Sequence, residues 1–211
     1  MNTKKLVIFS SGAFLKEKMG SFKDILVHFG KEKEVKELDE EYQRRKEQGP
    51  WGMEEVTALY KGLSEAELKE EAKRHCQEDL AEGANEVVNA LKEKGYLVGA
   101  ITASPQFVMD ALKDVLNLNF ATGTELQFEN GVATGKISKK VDRFGKAEFV
   151  KSKIQELGLK KEDVVIIGDA VSDLPMGELG KFIALNADKD SVKEKAQVVV
   201  EGNLEKVLEH I

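Results

Sequence analysis

VVIIGDAVSD, Val164–Asp173, is the stretch whose reading decides the fold. Four β-branched apolar residues run without a break into Gly168 and Asp169, and a second acid, Asp173, follows at a predicted helix start. A short unbroken apolar run of this kind reads as a strand buried on both faces, as in a parallel sheet. Ligands of open α/β sheets bind outside the carboxyl ends of the strands, and Asp169 stands at such an end. Two carboxylates there repel each other unless something positive joins them. A hard cation with oxygen ligands, such as Mg²⁺, suits that place. A structural reading fits the same residues: Asp169 caps a turn and Asp173 caps the next helix.

Outward from this stretch, residues 84 onward alternate between the two kinds of element. Ala84–Lys94 is a predicted amphipathic helix closed by Gly95, and Tyr96–Ile101 a buried strand ending at Thr102. A helix over Pro105–Val115 follows, then a hairpin of Ala121–Phe128 and Val132–Ser138 turning at Asn130-Gly131. A helix over Phe144–Leu157 leads into Val164–Ile167. After it come a short helix, the strands Phe182–Leu185 and Gln197–Val200 with a helix around Ser191–Ala196 between them, and a last helix to Ile211. This alternation predicts a mostly parallel sheet covered by helices on both faces.

The first strand, Leu6–Phe9, ends at Ser10-Ser11-Gly12 and is separated from the rest by a polar, helix-rich block. Ser21 is positioned to cap a helix carrying Phe22, Ile25, Leu26 and Phe29. Lys31–Gln48 is a second, mostly exposed helix, and Gly49-Pro50-Trp51-Gly52 a strong break. Met53–Lys61 is a short helix, and Ser64-Glu65-Ala66-Glu67 matches a capping box. Residues 16–80 contain no credible strand. The architecture that follows is a Rossmann-like α/β core, residues 1–15 and 82–211, with a helical cap, residues 16–81, inserted after strand one.

Of the 211 residues, 41% are hydrophobic and 33% charged, enough for a substantial core beneath solvated helix faces. A net charge of -6 argues against nucleic acid as the main partner, because a phosphate backbone needs a basic patch. A lone cysteine, Cys76, excludes an internal disulfide and fits a reducing compartment. The apolar run after MNTKK is too short for a signal peptide or a membrane span, so the expectation is a soluble cytoplasmic protein with no membrane partner.

Four places in the core bring polar residues to one edge of the sheet: Ser10, Thr102, Lys146, and Asp169 with Asp173. In this order and spacing they resemble the motifs of the haloacid dehalogenase superfamily, most closely its phosphoserine-phosphatase-like branch, over nearly the whole chain. GAITAS carries the second-motif hydroxyl at Thr102, GKAEFVKSKI the third-motif lysine at Lys146, and IIGDAVSD the fourth-motif acids at Asp169 and Asp173. The resemblance implies phosphomonoester chemistry with Mg²⁺ held by an aspartate nucleophile and Asp169.

The first motif departs from the family pattern. Ser10 stands where the resemblance places the nucleophilic aspartate, Gly12 where it places the acid/base aspartate, and Phe14 where it places a threonine. An aspartate is already ionised at neutral pH, whereas a serine hydroxyl needs a base within reach. Gly12 removes the nearest base, and Lys146 is the remaining candidate for that role. Magnesium binding at Asp169 and Asp173 is expected to be weak or absent. What survives is an anion site of Thr102, Lys146, Ser11 and turn N–H groups, able to take a phosphate or a small phosphorylated ligand. The sequence thus favours a phosphate-binding pseudophosphatase, with a Mg²⁺-dependent phosphatase of residual or altered activity as the alternative. Asp169 is expected to pair with Lys146.

In phosphoserine phosphatases the cap supplies an acid and a base for the amino acid end of the substrate. The corresponding positions fall near Met19 and near Tyr60, beside Lys61, so neither charge is in place. Trp51 reads as packing within the cap. His28, His75 and His210 have no ligand spacing and read as surface or helix-end residues. Phe22, Ile25, Met53 and Leu59 read as ordinary helix-face residues.

Overall fold

The computed structural model describes residues 5–45 and 52–211. Trp51 and the Gly49-Pro50 break lie outside the described residues.

A seven-stranded sheet forms the centre of the α/β fold. Its strands are β1 (Lys5–Ser10), β2 (Tyr96–Pro105), β3 (Phe120–Glu129), β4 (Val132–Lys139), β5 (Val164–Gly168), β6 (Lys181–Leu185) and β7 (Val198–Val200). They lie in the order β4-β3-β2-β1-β5-β6-β7, all parallel except β4, which runs antiparallel to β3. The two-residue turn at Asn130-Gly131 makes that one antiparallel pairing: both residues take positive φ, 51° and 77°, as such hairpin turns require.

Strand β1 shows why the sheet is covered on both faces. Leu6 and Ile8 enter one apolar cluster, Val7 and Phe9 the other, and all four are fully buried. Strand β5 repeats the division, with Val164 and Ile166 on one side and Val165 and Ile167 on the other. The helices are α1 (Ser21–His28), α2 (Glu32–Arg45), α3 (Met53–Ala58), α4 (Glu65–Glu78), α5 (Ala84–Glu93), α6 (Gln106–Leu116), α7 (Arg143–Leu157), α8 (Leu174–Gly177) and α9 (Asp190–Lys193). From β1 the chain continues to β2 and β3 on one side, then to β5 and β6 on the other. The strand order therefore reverses at β1, and this is where open α/β sheets form a ligand crevice.

Helices α1–α4 leave and return to the sheet through a pair of crossing segments. Leu15 and Leu80 form an isolated antiparallel bridge, the Lys16 N–H donates to the Asp79 carbonyl at 2.7 Å, and the Ala81 N–H donates to Phe14 at 2.8 Å. A second attachment joins them to the hairpin. The Gly62 N–H donates to Ala133, the Ala133 N–H to Leu63 and the Glu65 N–H to Gly131, each at 2.9 Å. Gly135 makes this contact possible. Its φ is +80°, and a Cβ there would sit 3.0 Å from the Lys61 Cβ and 3.2 Å from the Ala58 carbonyl.

Several local expectations are corrected. Gly20, at φ 88°, is the N-cap of α1, and Ser21 lies inside the first turn with its hydroxyl bonded to the Glu17 carboxylate. The last segment, Leu204–His210, is a 3₁₀ helix, started by the Asn203 side chain accepting from the Glu205 N–H at 2.9 Å. His75 is a helix-end residue, in the last turn of α4, but it is buried: its Nδ1 meets Asp79 at 2.9 Å, while Nε2 has no partner among the described residues. It lies on the face of α4 that also buries Leu68, Ala72 and Cys76.

At the crossing, burial raises the Glu17 carboxyl above the usual glutamate range, against the opposing hydrogen bond from Ser21. The fold therefore binds the Glu17 proton more tightly than the unfolded chain does, and stability falls as pH rises between the two values. Glu17→Gln removes that fall. The variant is expected to exceed wild type in stability near pH ~7 and to lose the advantage below about pH 4, the ordinary carboxylate range, as read by urea unfolding at both values.

Candidate phosphate site

The crevice at the reversal of strand order collects the carboxyl ends of β1, β2 and β5. Ser10 closes β1 in register with Ile101 of β2, and Phe9 pairs with Ile167 of β5. Ser10, Thr102 and Asp169 therefore meet at one edge. Ser10, Ser11 and Thr102 are all buried. The Ser11 hydroxyl donates to Thr102 Oγ1 at 2.8 Å, and Thr102 in turn donates to Ser104 Oγ at 3.3 Å while accepting the Ser104 N–H at 3.2 Å. As this row of hydroxyls stands, the Ser104 hydroxyl is the one whose proton is uncommitted among the described residues; Ser11 and Thr102 can donate to an anion by turning from each other. Ser104 was not singled out from the sequence, although its spacing of two from Thr102 on a strand places both on one face.

Lys146 enters from the first turn of α7. Asp142 caps that helix, accepting the N–H groups of Phe144 at 2.9 Å and Gly145 at 3.0 Å. The Lys146 ammonium donates to Asp173 Oδ1 at 2.7 Å and to Ser172 Oγ at 3.3 Å. The lysine is 3% exposed and the aspartate 0%, so this is a fully buried ion pair. The expected pairing of Lys146 with Asp169 is replaced by one with Asp173. The reason lies in the turn: Asp173 folds back, and its other oxygen accepts the N–H groups of Asp169 at 3.1 Å and Ala170 at 3.2 Å. Nor does Asp173 cap the following helix through its side chain.

Asp169 is left without a side-chain donor to its carboxylate among the described residues. Its side chain lies over Gly12, where an added Cβ would stand 3.1 Å from Oδ1 and 3.3 Å from Oδ2. Burial, and next the repulsion of Asp173, hold this carboxyl above the usual aspartate range, with Lys146 offsetting part of the rise. A second hollow opens beside Gly12 and Asp169, reaching Lys16, Asn186 and Asn203.

The donor set fits a resident Mg²⁺ poorly. Asp173 is committed to Lys146 and to the backbone, which among the described residues leaves Asp169 and the Ser10 hydroxyl at the crevice, with Asp188 near enough to add to the repulsion on Asp169. Among the described residues no group of three or more His, Cys, Asp or Glu side chains could hold a metal ion. Likewise, no hydrogen bond ties the Ser10 hydroxyl to a base among these residues, since Lys146 is engaged elsewhere.

The haloacid dehalogenase-like hydrolase family model matches residues 19–178, more than half of the chain. The chain belongs to that family. Its relatives place it in the phosphoserine-phosphatase-like branch of the haloacid dehalogenase family. It is 34% identical over 209 residues to a phosphoserine phosphatase of Archaeoglobus fulgidus, covering 96% of this chain and 57% of that one. It thus spans little more than half the length of that relative. A phosphoserine phosphatase of Methanocaldococcus jannaschii is 28% identical over 211 residues, covering 99% of this chain and 98% of the relative. Among solved structures, a phospho-aspartyl intermediate analogue of phosphoserine phosphatase superposes with a TM-score of 0.81 at 27% identity, covering 100% of both chains. A substrate-bound phosphoserine phosphatase complex gives 0.81 at 25% identity, again with 100% of both chains covered. No helix among the described residues is long and apolar enough to cross a membrane.

The buried pair makes a sharp prediction. Lys146→Met leaves Asp173 charged and unpaired in the interior and is expected to cost about 3–5 kcal/mol of stability. Adding Asp173→Asn, which keeps an acceptor for the turn N–H groups without the charge, is expected to restore about half of that loss or more. Chemical denaturation of the two variants beside wild type checks both.

Proposed function

We propose that this haloacid dehalogenase-family chain is a pseudophosphatase: it binds phosphate or a small phosphoester and does not hydrolyse it by the family's usual route. In this reading residues 16–81 act as a cap over a core of residues 1–15 and 82–211. The observation that carries the reading is Ser10 and Gly12 at the carboxyl end of the central strand, between Thr102 and Asp169. The resemblance puts two aspartates at these positions, one to attack phosphorus and one to move protons.

The local chemistry supports this. A serine becomes nucleophilic through a base within hydrogen-bond reach, and the Lys146 ammonium is turned to Asp173 and Ser172. Loss of an acid/base group alone costs about 10²–10⁴-fold in rate, and here the nucleophile is replaced too. Binding needs less. Ser104 offers its hydroxyl to phosphate oxygens, and Ser11 and Thr102 can turn theirs from each other to do the same, while Mg²⁺ is at most a weak participant through Asp169. Without a bridging cation, the unpaired Asp169 carboxylate opposes a bound phosphate.

This opposition separates the reading from a Mg²⁺-dependent phosphatase. In calorimetric titrations without Mg²⁺, Asp169→Asn is expected to bind inorganic phosphate about threefold more tightly than wild type or better, because a like charge a few ångströms away is removed. Thr102→Val is expected to weaken binding by about fivefold or more through its lost hydrogen bond. Normal turnover of a phosphomonoester by wild type with Mg²⁺, abolished in Asp169→Ala, overturns the proposal. Ser10→Asp with Gly12→Asp, tested alongside, is expected to gain activity only if the Asp169 side chain yields to the new Cβ.

A further inference from the structure

A cleft of about 290 Å³ lies between α1–α3 and the end of β2. One end is floored by Ala103 and Ser104, so it adjoins the hydroxyl row of the phosphate site. Its walls come from Met19, Phe22, Leu38, Tyr42, Met53 and Val56. Phe22 and Met53, which the sequence offered only as helix-face residues, thus face a cavity.

Among the described residues, the charges around the cleft are already satisfied. Lys23 is the one charged lining residue among those described, and its ammonium pairs with the Asp39 carboxylate while lying 5.9 Å from the centre of the Tyr42 ring. Asp24, the next residue, is directed at the backbone and accepts the N–H groups of Lys18 at 3.0 Å and Met19 at 3.3 Å. Tyr60, at the position where the resemblance places a basic residue, is fully buried, and its hydroxyl donates to the Phe22 carbonyl at 2.7 Å. An ammonium or carboxylate entering here would lose its hydration with no free charge among the described residues to meet it, which is costly. An apolar group would lose nothing and would gain contact with two methionines, side chains that adapt to varied shapes.

We propose that this cleft is a subsite for an uncharged, apolar alcohol portion, so that the ligand is an aryl or short alkyl phosphate with its phosphate at Ser11, Thr102 and Ser104. The inference rests on the phosphate reading above and adds to it the class of the esterified group.

Phenyl phosphate, O-phospho-L-serine and inorganic phosphate, titrated calorimetrically without added Mg²⁺, test it. Phenyl phosphate is expected to bind at least about tenfold tighter than either of the others, since even one methylene in an apolar pocket is worth that factor. Met53→Gln is expected to cut the ratio of phenyl phosphate to phosphate affinity by about fivefold. O-Phospho-L-serine binding as tightly as phenyl phosphate overturns the inference and leaves the phosphate reading standing. Phenol titrated against the methyl resonances of Met19 and Met53 separates the remaining cases. Methyl shifts with phenol, but no heat with inorganic phosphate, overturn the phosphate reading. Neither shift nor heat overturns both.

Discussion

The buried ion pair between Lys146 and Asp173 is the interaction on which the crevice depends. Two charges withdrawn from water are stabilising only where geometry is good and the remaining polar atoms are satisfied. Here one carboxylate oxygen takes the ammonium at 2.7 Å and the other takes two backbone N–H groups of the turn after β5. The pair thereby ties α7 to β5 and fixes the backbone of Asp169. It also dictates Gly168, where a Cβ would come within 2.6 Å of Asp173 Oδ2. The glycine and second acid of the IIGDAVSD stretch are one mechanical unit: removing the side chain at 168 lets the carboxylate at 173 fold back.

A consequence is the unequal fate of the two acids. Asp173 has every lone pair it needs answered. Asp169, held in place by the same turn, has its carboxylate over Gly12 and lacks a side-chain donor among the described residues. Gly12 and Asp169 complement each other sterically, since a side chain at position 12 would press on that carboxylate. A side chain at position 12 therefore requires the Asp169 carboxylate to give way by a few tenths of an ångström.

Much of this could be read from the chain. The β-branched run of Val164–Ile167, the Asn130-Gly131 turn and the alternation after residue 84 fix the sheet, because period and turn chemistry are local properties. The meeting of Ser10, Thr102 and Asp169 at one edge also follows: Ser10 ends β1, Asp169 follows β5, and Thr102 follows the last β2 residue paired with β1, although β2 runs on to Pro105. What was not legible depended on side-chain direction. Spacing brings Lys146 to the acids but does not choose between Asp169 and Asp173; the backward fold of the turn does. Helical periodicity places Phe22 and Met53 on an inner face, yet a cavity and a packed core look alike to it. The burial of His75 escaped for the same reason. Most of its neighbours on that face are apolar, the buried Glu71 apart, and a histidine among them carries no sequence signal of its own.

The double attachment of α1–α4 has a mechanical meaning. One anchor lies just beyond β1, the other on β4, three strands away at the sheet edge. At the usual strand spacing the anchors are roughly 14 Å apart. Between these anchors α4 packs on α6 in the same apolar core, with Cys76 Sγ donating to the Val108 carbonyl at 3.5 Å, so the helices are held along a face and not at a single hinge. Swinging the helices clear of Ser104 would strip the three backbone hydrogen bonds to the hairpin, so β3 and β4 must travel with them or let go. The hairpin is thus a strut between the sheet and the helices that wall the cleft, and its stiffness limits how wide the entrance opens.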